Sequence, residues 1–128
     1  GDTSADGVET YCLTPAGQRS TNAGKAKSTT AAEPGNRFDT ANVLLAWSIQ
    51  RRMIRSTGAD DRGVRRARFA VLRTLSCPGV LIEGGFMSSR REGALIADGA
   101  YRQKIAEAIA AAVGDYASRV RPAAKAGR

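Results

Sequence analysis

The apolar run Val-Leu-Ile at residues 80–82 sets strict limits on the fold. β-branched and bulky residues in direct succession are typical of a strand that is buried on both faces, with neighbouring strands on both edges. The run ends in Glu83, which Gly84 and Gly85 follow. A carboxylate at the end of a buried strand needs a partner, a proton or a chemical role.

Hydrophobic periodicity predicts two more strands and three helices around this run. Leu45, Ile49 and Met53 recur every four residues, as on the buried face of an amphipathic helix. The string Ser-Arg-Arg-Glu at 89–92 has the capping-box form that begins a helix. The predicted strands are 7–13, 68–73 and 79–83, and the predicted helices are 38–57, 90–97 and 100–119.

This order of elements predicts an α/β fold, in which a mixed sheet carries helices 38–57 and 100–119 packed on it. Ile109 and Val113 are expected to face away from solvent. The sequence predicts only three strands, and the apolar run needs neighbours on both edges, so the sheet is expected to be incomplete. Residues 14–35 are predicted to form a long surface loop. The expected organisation is part of a single domain over 1–120 and a basic flexible tail over 121–128.

The net charge of +8 would favour an anionic partner. The basic residues are scattered along the chain, however, and only 5% of residues are aromatic, so solvated helix faces explain the charge better than a nucleic-acid groove does. A basic nucleic-acid-binding module remains an alternative. No apolar stretch approaches the roughly 20 residues of a membrane span, and the opening GDTSADG is not a signal peptide.

Cys12 and Cys77 are the two cysteines, and the chain has no histidine. A conventional zinc site cannot be assembled from these residues. This chain alone is therefore predicted to bind zinc no more tightly than a surface carboxylate does. One disulfide is arithmetically possible, but two buried thiols that behave as small apolar groups are the preferred interpretation.

Glu83 is the candidate catalytic residue, because sites in open α/β sheets form beyond the carboxyl ends of strands. The structural alternative is an ion pair with Arg73 or Arg68 on the adjoining predicted strand. Glu9 is interpreted as an edge-strand acid that faces solvent or an arginine.

Four segments together resemble the zinc-dependent N-acetylmuramoyl-L-alanine amidases of the amidase-3 type, from Gly7 to about Tyr116. They are GVETY, RGVRRARFAVLR, CPGVLIEGGFMSSRREGALI and AYRQKIAEAIAAAV. The resemblance implies a peptidoglycan hydrolase that uses zinc-activated water to cut the amide between N-acetylmuramic acid and the L-alanine of the stem peptide. It implies that Glu83 is the general base, and Arg73 is a second candidate, for orienting Glu83 or binding stem-peptide carboxylates.

The chain also departs from this family. The family's zinc ligands lie N-terminal to GVETY, so the resemblance implies that this chain is the C-terminal portion of an amidase domain and that the N-terminal strands of the domain are absent. It is expected to be inactive by itself, with zinc held only in the complete enzyme. Ser89 and Arg90 stand where the family usually has Asn-Pro. The resemblance implies a periplasmic or extracellular location. A non-catalytic cell-wall-binding or regulatory module remains a second alternative.

Overall fold

A three-stranded mixed sheet lies at the centre of the computed structural model, which describes residues 6–21 and 31–121. β1 (Val8–Leu13) is the middle strand. β2 (Asp61–Ala67) runs parallel to it on one edge, and β3 (Leu81–Glu83) runs antiparallel to it on the other. The predicted α/β fold with a mixed sheet is therefore confirmed.

Four α-helices and one 3₁₀ helix accompany the sheet in the described part of the chain. The three predicted helices are confirmed to within two residues. Gly58, in the left-handed conformation (φ +64°), caps the C-terminus of the helix that ends at Thr57, and its N–H donates to the carbonyl of Ile54. The helices are the 3₁₀ helix Pro34–Phe38, α1 (Asp39–Thr57), α2 (Ala70–Arg73), α3 (Arg90–Ala97) and α4 (Gly99–Val120).

The main core lies between one face of the sheet and helices α1 and α4. Val8 of β1 is fully buried there, and partly buried Ile109 packs against the same cluster, as predicted. Val113 is 46% exposed, so its predicted burial is wrong. The buried line of α4 runs through Ala108 and Ala112, whose small side chains allow a close approach to α1.

The strand predicted at 68–73 is wrong. β2 occupies Asp61–Ala67 instead, and the apolar residues that suggested a strand lie in the short helix α2 or, for Phe69, directly before it. Of those residues only Leu72 is buried, whereas Phe69 and Val71 are 40% and 59% exposed. The apolar pattern predicted the wrong segment as a strand, because arginine side chains rather than apolar side chains hold β2 in the sheet.

A second, smaller core covers the opposite face of the sheet. Tyr11 and Leu13 of β1 pack there with Ala67 and Leu72. The ring of Phe69 meets the ring of Tyr11 edge-on, with 5.0 Å between centroids. The two cores show the alternation of a strand, because Tyr11 and Leu13 share one face of β1 and Val8 lies on the other.

Both cysteines are free, and only one of them is buried. Cys12 is fully inaccessible, and burial raises the pKa of its thiol. Cys77 is exposed, so the prediction of two buried thiols is wrong for this residue.

This difference predicts unequal thiol reactivity. A chromogenic disulfide reagent at pH 8 is expected to titrate Cys77 within minutes and Cys12 only after denaturation, because the thiolate is the reactive form. Cys77→Ser is expected to leave the native protein unreactive. Rapid reaction of the native Cys77→Ser variant would contradict the burial of Cys12.

Within the predicted 14–35 loop, residues 14–21 and 31–33 contain no helix or strand, whereas Pro34 and Gly35 begin the 3₁₀ helix, so the loop prediction is wrong at its C-terminal end. Residues 22–30 of that loop and residues 122–128 of the predicted tail lie outside the described residues. None of the described helices is both long enough and apolar enough to cross a membrane.

Candidate functional site

Glu83 is the last residue of β3 and lies directly across from Glu9 of β1. Side chains of facing residues in an antiparallel pair project from the same face, with Cβ atoms about 5 Å apart. The alternation of both strands places this pair on the face that carries Tyr11, away from α1. The fold therefore puts two carboxylates side by side at the end of β3.

Glu9 is a buried acid whose charge is compensated. The Nε atoms of Arg62 and Arg65 each lie 2.9 Å from Oε2 of Glu9, and the Tyr11 hydroxyl donates to its Oε1 at 2.8 Å. Glu9 is 5% exposed on the middle strand, so the interpretation as an edge-strand acid is wrong, although it does face arginines.

A bulge in β2 makes this double ion pair possible. Arg62 and Arg65 are three residues apart, so in a regular strand their side chains would point to opposite faces. The register against β1 shifts at this point by one extra residue in β2. Gly63 takes a φ of +80°, which glycine adopts without strain. The extra residue returns both arginines to the side of Glu9.

Glu83 has no hydrogen bond or ion pair from its carboxylate to any residue in the described ranges 6–21 and 31–121. Its predicted structural partners are engaged elsewhere. Arg68 donates to the carbonyl oxygens of Pro15 and Gln18, and Arg73 to Oε1 of Glu33 at 3.0 Å. The structural alternative for Glu83 is therefore not formed, and a half-buried carboxylate is left for another use.

Arg73 lies on α2 rather than on a strand beside Glu83. Its side chain is 47% exposed in the ion pair with Glu33, so replacing Glu33 by another carboxylate as the partner of Arg73 would change the free energy little. Its assignment to substrate binding stays a prediction.

Of the two glycines after Glu83, only the second is required by the local packing and backbone conformation. A Cβ on Gly84 would touch Met53 and Ile105 at ordinary distances, whereas Gly85 has a φ of +149° and a Cβ there would approach Glu92 within 3.3 Å. The next residue, Phe86, lies under the guanidinium of Arg62, 5.2 Å from the ring centroid. Arg62 thus contacts both the acid beside Glu83 and the segment that follows it.

Glu92 is a second buried carboxylate, which we call the Glu92 clamp. Its Oε1 accepts the N–H of Gly7 at 2.6 Å, and its Oε2 accepts the N–H of Phe86 at 2.8 Å. The predicted capping box forms only in part: Ser89 Oγ accepts the N–H of Glu92, but the N–H of Ser89 donates to the carbonyl of Phe86. The clamp connects the segment after Glu83 to the start of β1. No local sequence pattern predicts this role.

The residues of this chain that the structure describes do not fit a zinc site. The chain lacks histidine, and in the part that the structure describes no three Cys, Asp or Glu side chains come together as metal ligands. Glu83 and Glu9 alone offer two carboxylates, and Glu9 is already bound by two arginines.

Comparison with known proteins gives consistent matches. The family model described as N-acetylmuramoyl-L-alanine amidase (Amidase_3) matches residues 1–115. An uncharacterized cell wall amidase of Bacillus anthracis is 36% identical over 84 residues, which are 66% of this chain and 16% of that protein. The N-acetylmuramoyl-L-alanine amidase AmiA of Escherichia coli is 44% identical over 56 residues, which are 44% of this chain and 19% of that protein.

A solved structure is similar over almost all of the chain. The crystal structure of the N-acetylmuramoyl-L-alanine amidase from Clostridium difficile 630 matches with a TM-score of 0.69 at 26% identity, covering 94% of this chain and 53% of that one. The chain thus spans about half of that structure and less than a fifth of the two curated relatives.

Proposed function

Because the chain belongs to the amidase-3 family of N-acetylmuramoyl-L-alanine amidases, we propose that it contributes the catalytic carboxylate of a peptidoglycan hydrolase of the cell envelope. The bond cut is the amide between N-acetylmuramic acid and the L-alanine of the stem peptide. The observation that carries this proposal is the half-buried carboxylate of Glu83, which has no partner among the described residues.

The surroundings of Glu83 support a role in proton transfer. Several other acids in the described ranges accept hydrogen bonds within the chain, whereas Glu83 is held in place by its strand alone. The neighbouring Glu9 carries its own arginine counter-charges, so Glu83 is the carboxylate available to a water molecule. It takes a proton from the water that attacks the amide carbonyl and passes it to the departing amine. The acids with partners are Glu9, Glu33, Asp39, Asp61, Glu92, Asp98, Glu107 and Asp115.

Zinc, when bound in an enzyme of this kind, lowers the pKa of a coordinated water towards about 7. The described side chains of this chain do not hold it, so the proposal assigns the metal to ligands other than these. Arg73 remains the candidate for binding the carboxylates of the stem peptide, where its exposed guanidinium would exchange Glu33 for substrate.

The test is the chemistry of the products. A catalytically competent protein that carries this chain, incubated with purified peptidoglycan, is expected to release stem peptides with a free α-amino group on L-alanine. It is expected to create no new reducing sugar ends. New reducing ends would show that the protein is a glycosidase and not an amidase. Retention on peptidoglycan without any released product would favour the alternative of a wall-binding module.

A further inference from the structure

A cleft of about 390 Å³ lies between the outward faces of α1 and α4. Its wall contains four arginines and a single acid. The lining residues are Trp47, Ser48, Arg51, Arg52, Arg55, Asp115, Ser118 and Arg119. This surface lies on the α1 side of the sheet, whereas Glu83 projects from the opposite face.

The cleft has a surplus of positive charge. Four guanidinium groups face one carboxylate, and four minus one leaves three charges uncompensated. Arg52 is bound to Asp115 by two hydrogen bonds of 2.7 and 2.9 Å. Among the described residues no acid lies within ion-pair distance of Arg51, Arg55 or Arg119.

The pKa of Asp115 shows that three of these arginines act on the same point of the cleft. The hydrogen bond from Arg52 lowers the pKa of Asp115 most, and the charges of Arg119 and Arg51 lower it further. An anion in the middle of the cleft is thus already stabilised by several guanidinium groups at once.

We propose that this cleft binds the phosphate groups of a phosphodiester-linked polyol chain. Guanidinium groups present planar, paired donors that match phosphate oxygens, and their charge does not titrate. A single carboxylate would balance only one of the three surplus charges, whereas a chain with a charge on every repeat balances them in turn. The proposal is independent of the function assigned to Glu83.

The aromatic residue of the cleft favours a polyol chain over a nucleic acid. Binding of single-stranded nucleic acid relies on bases that stack on free aromatic faces. The ring of Trp47 already carries the guanidinium groups of Arg51 and Arg119, 5.1 and 5.3 Å from its centroid. The ring therefore positions two cations, and a base that stacked on it would compete with these two contacts.

The test is calorimetric titration of the 128-residue chain with a poly(glycerol phosphate) oligomer at low salt. The double substitution Arg55→Gln/Arg119→Gln is expected to weaken binding by about tenfold or more, since charged hydrogen bonds are among the strongest polar contacts. The matched control is Arg90→Gln/Arg91→Gln, which removes the same charge from exposed positions on α3 and is expected to change binding less than about twofold. Equal weakening by both double variants would reduce the effect to general charge attraction and overturn the site.

Asp115→Asn is expected to change the affinity for the oligomer in the opposite direction. It removes the acid that competes for Arg52, so binding of the oligomer is expected to tighten by about threefold or more. Unchanged or weaker binding would overturn the proposal. Single-stranded DNA of equal charge is expected to bind no more tightly than the oligomer, and tighter binding of DNA through the same arginines would overturn the choice of a polyol chain.

Discussion

Replacing Glu83 with glutamine is expected to lower amidase turnover by at least about 100-fold, the usual loss on removal of a general base. Glutamine keeps the shape of the side chain but cannot accept the proton. Because Glu83 makes no ion pair or hydrogen bond within the described residues, the melting temperature is expected to change by less than about 2 °C. The measurements are stem-peptide release and thermal unfolding on the same preparation.

The matched control is Glu107→Gln, which makes the same chemical change on the exposed surface of α4. Its turnover is expected to equal that of the unsubstituted protein within about twofold. Near-normal turnover of Glu83→Gln would remove Glu83 from the mechanism. A large fall in melting temperature of that variant would instead show that the carboxylate has a structural partner.

Replacing Glu92 with glutamine is expected to destabilise the fold by about 3 kcal/mol, because hydrogen bonds to a buried charged group contribute about 1.5–3 kcal/mol each. Both carboxylate oxygens accept a backbone N–H, from Gly7 and Phe86. A glutamine side chain has only one oxygen, so its NH₂ group must face one of these donors. The expected fall in melting temperature is about 10 °C.

Thermal unfolding of Glu92→Gln beside Glu107→Gln isolates the clamp from the loss of one negative charge. Glu107 is exposed, with one hydrogen bond from Gln103, and its variant is expected to unfold within about 2 °C of the parent. Equal melting temperatures for the two variants would show that the clamp contributes nothing to stability.

Local patterns predicted the parts of the fold that local forces determine. Leu45, Ile49 and Met53 repeat at helical spacing and are buried in α1, and Ser89 caps α3 where the sequence placed a helix start. The position of Glu83 at a strand end was also readable, because apolar residues precede it directly and glycines follow. These features depend on neighbours within a few residues.

The parts that were missed depend on distant partners. β2 contains few apolar residues. Two of its arginines are accommodated in the sheet because Glu9, more than fifty residues earlier, forms ion pairs with them. Glu92 was assigned to a local capping box, whereas its shortest hydrogen bond reaches Gly7, 85 positions away. Val113 fell outside the core because α4 turns its alanines towards α1. No window of a few residues contains this information.

The Glu92 clamp also fixes how many residues the fold allows in the turn between Phe86 and Glu92. Glu92 reaches Phe86 from the first turn of α3, and one added or deleted residue between them would rotate the helix by about 100° and shift it by about 1.5 Å. Both clamp bonds would then be lost together. Point substitutions at the exposed positions Met87, Ser88, Arg90 and Arg91 leave them in place. This turn therefore tolerates changes in the identity of its exposed residues but not in its length.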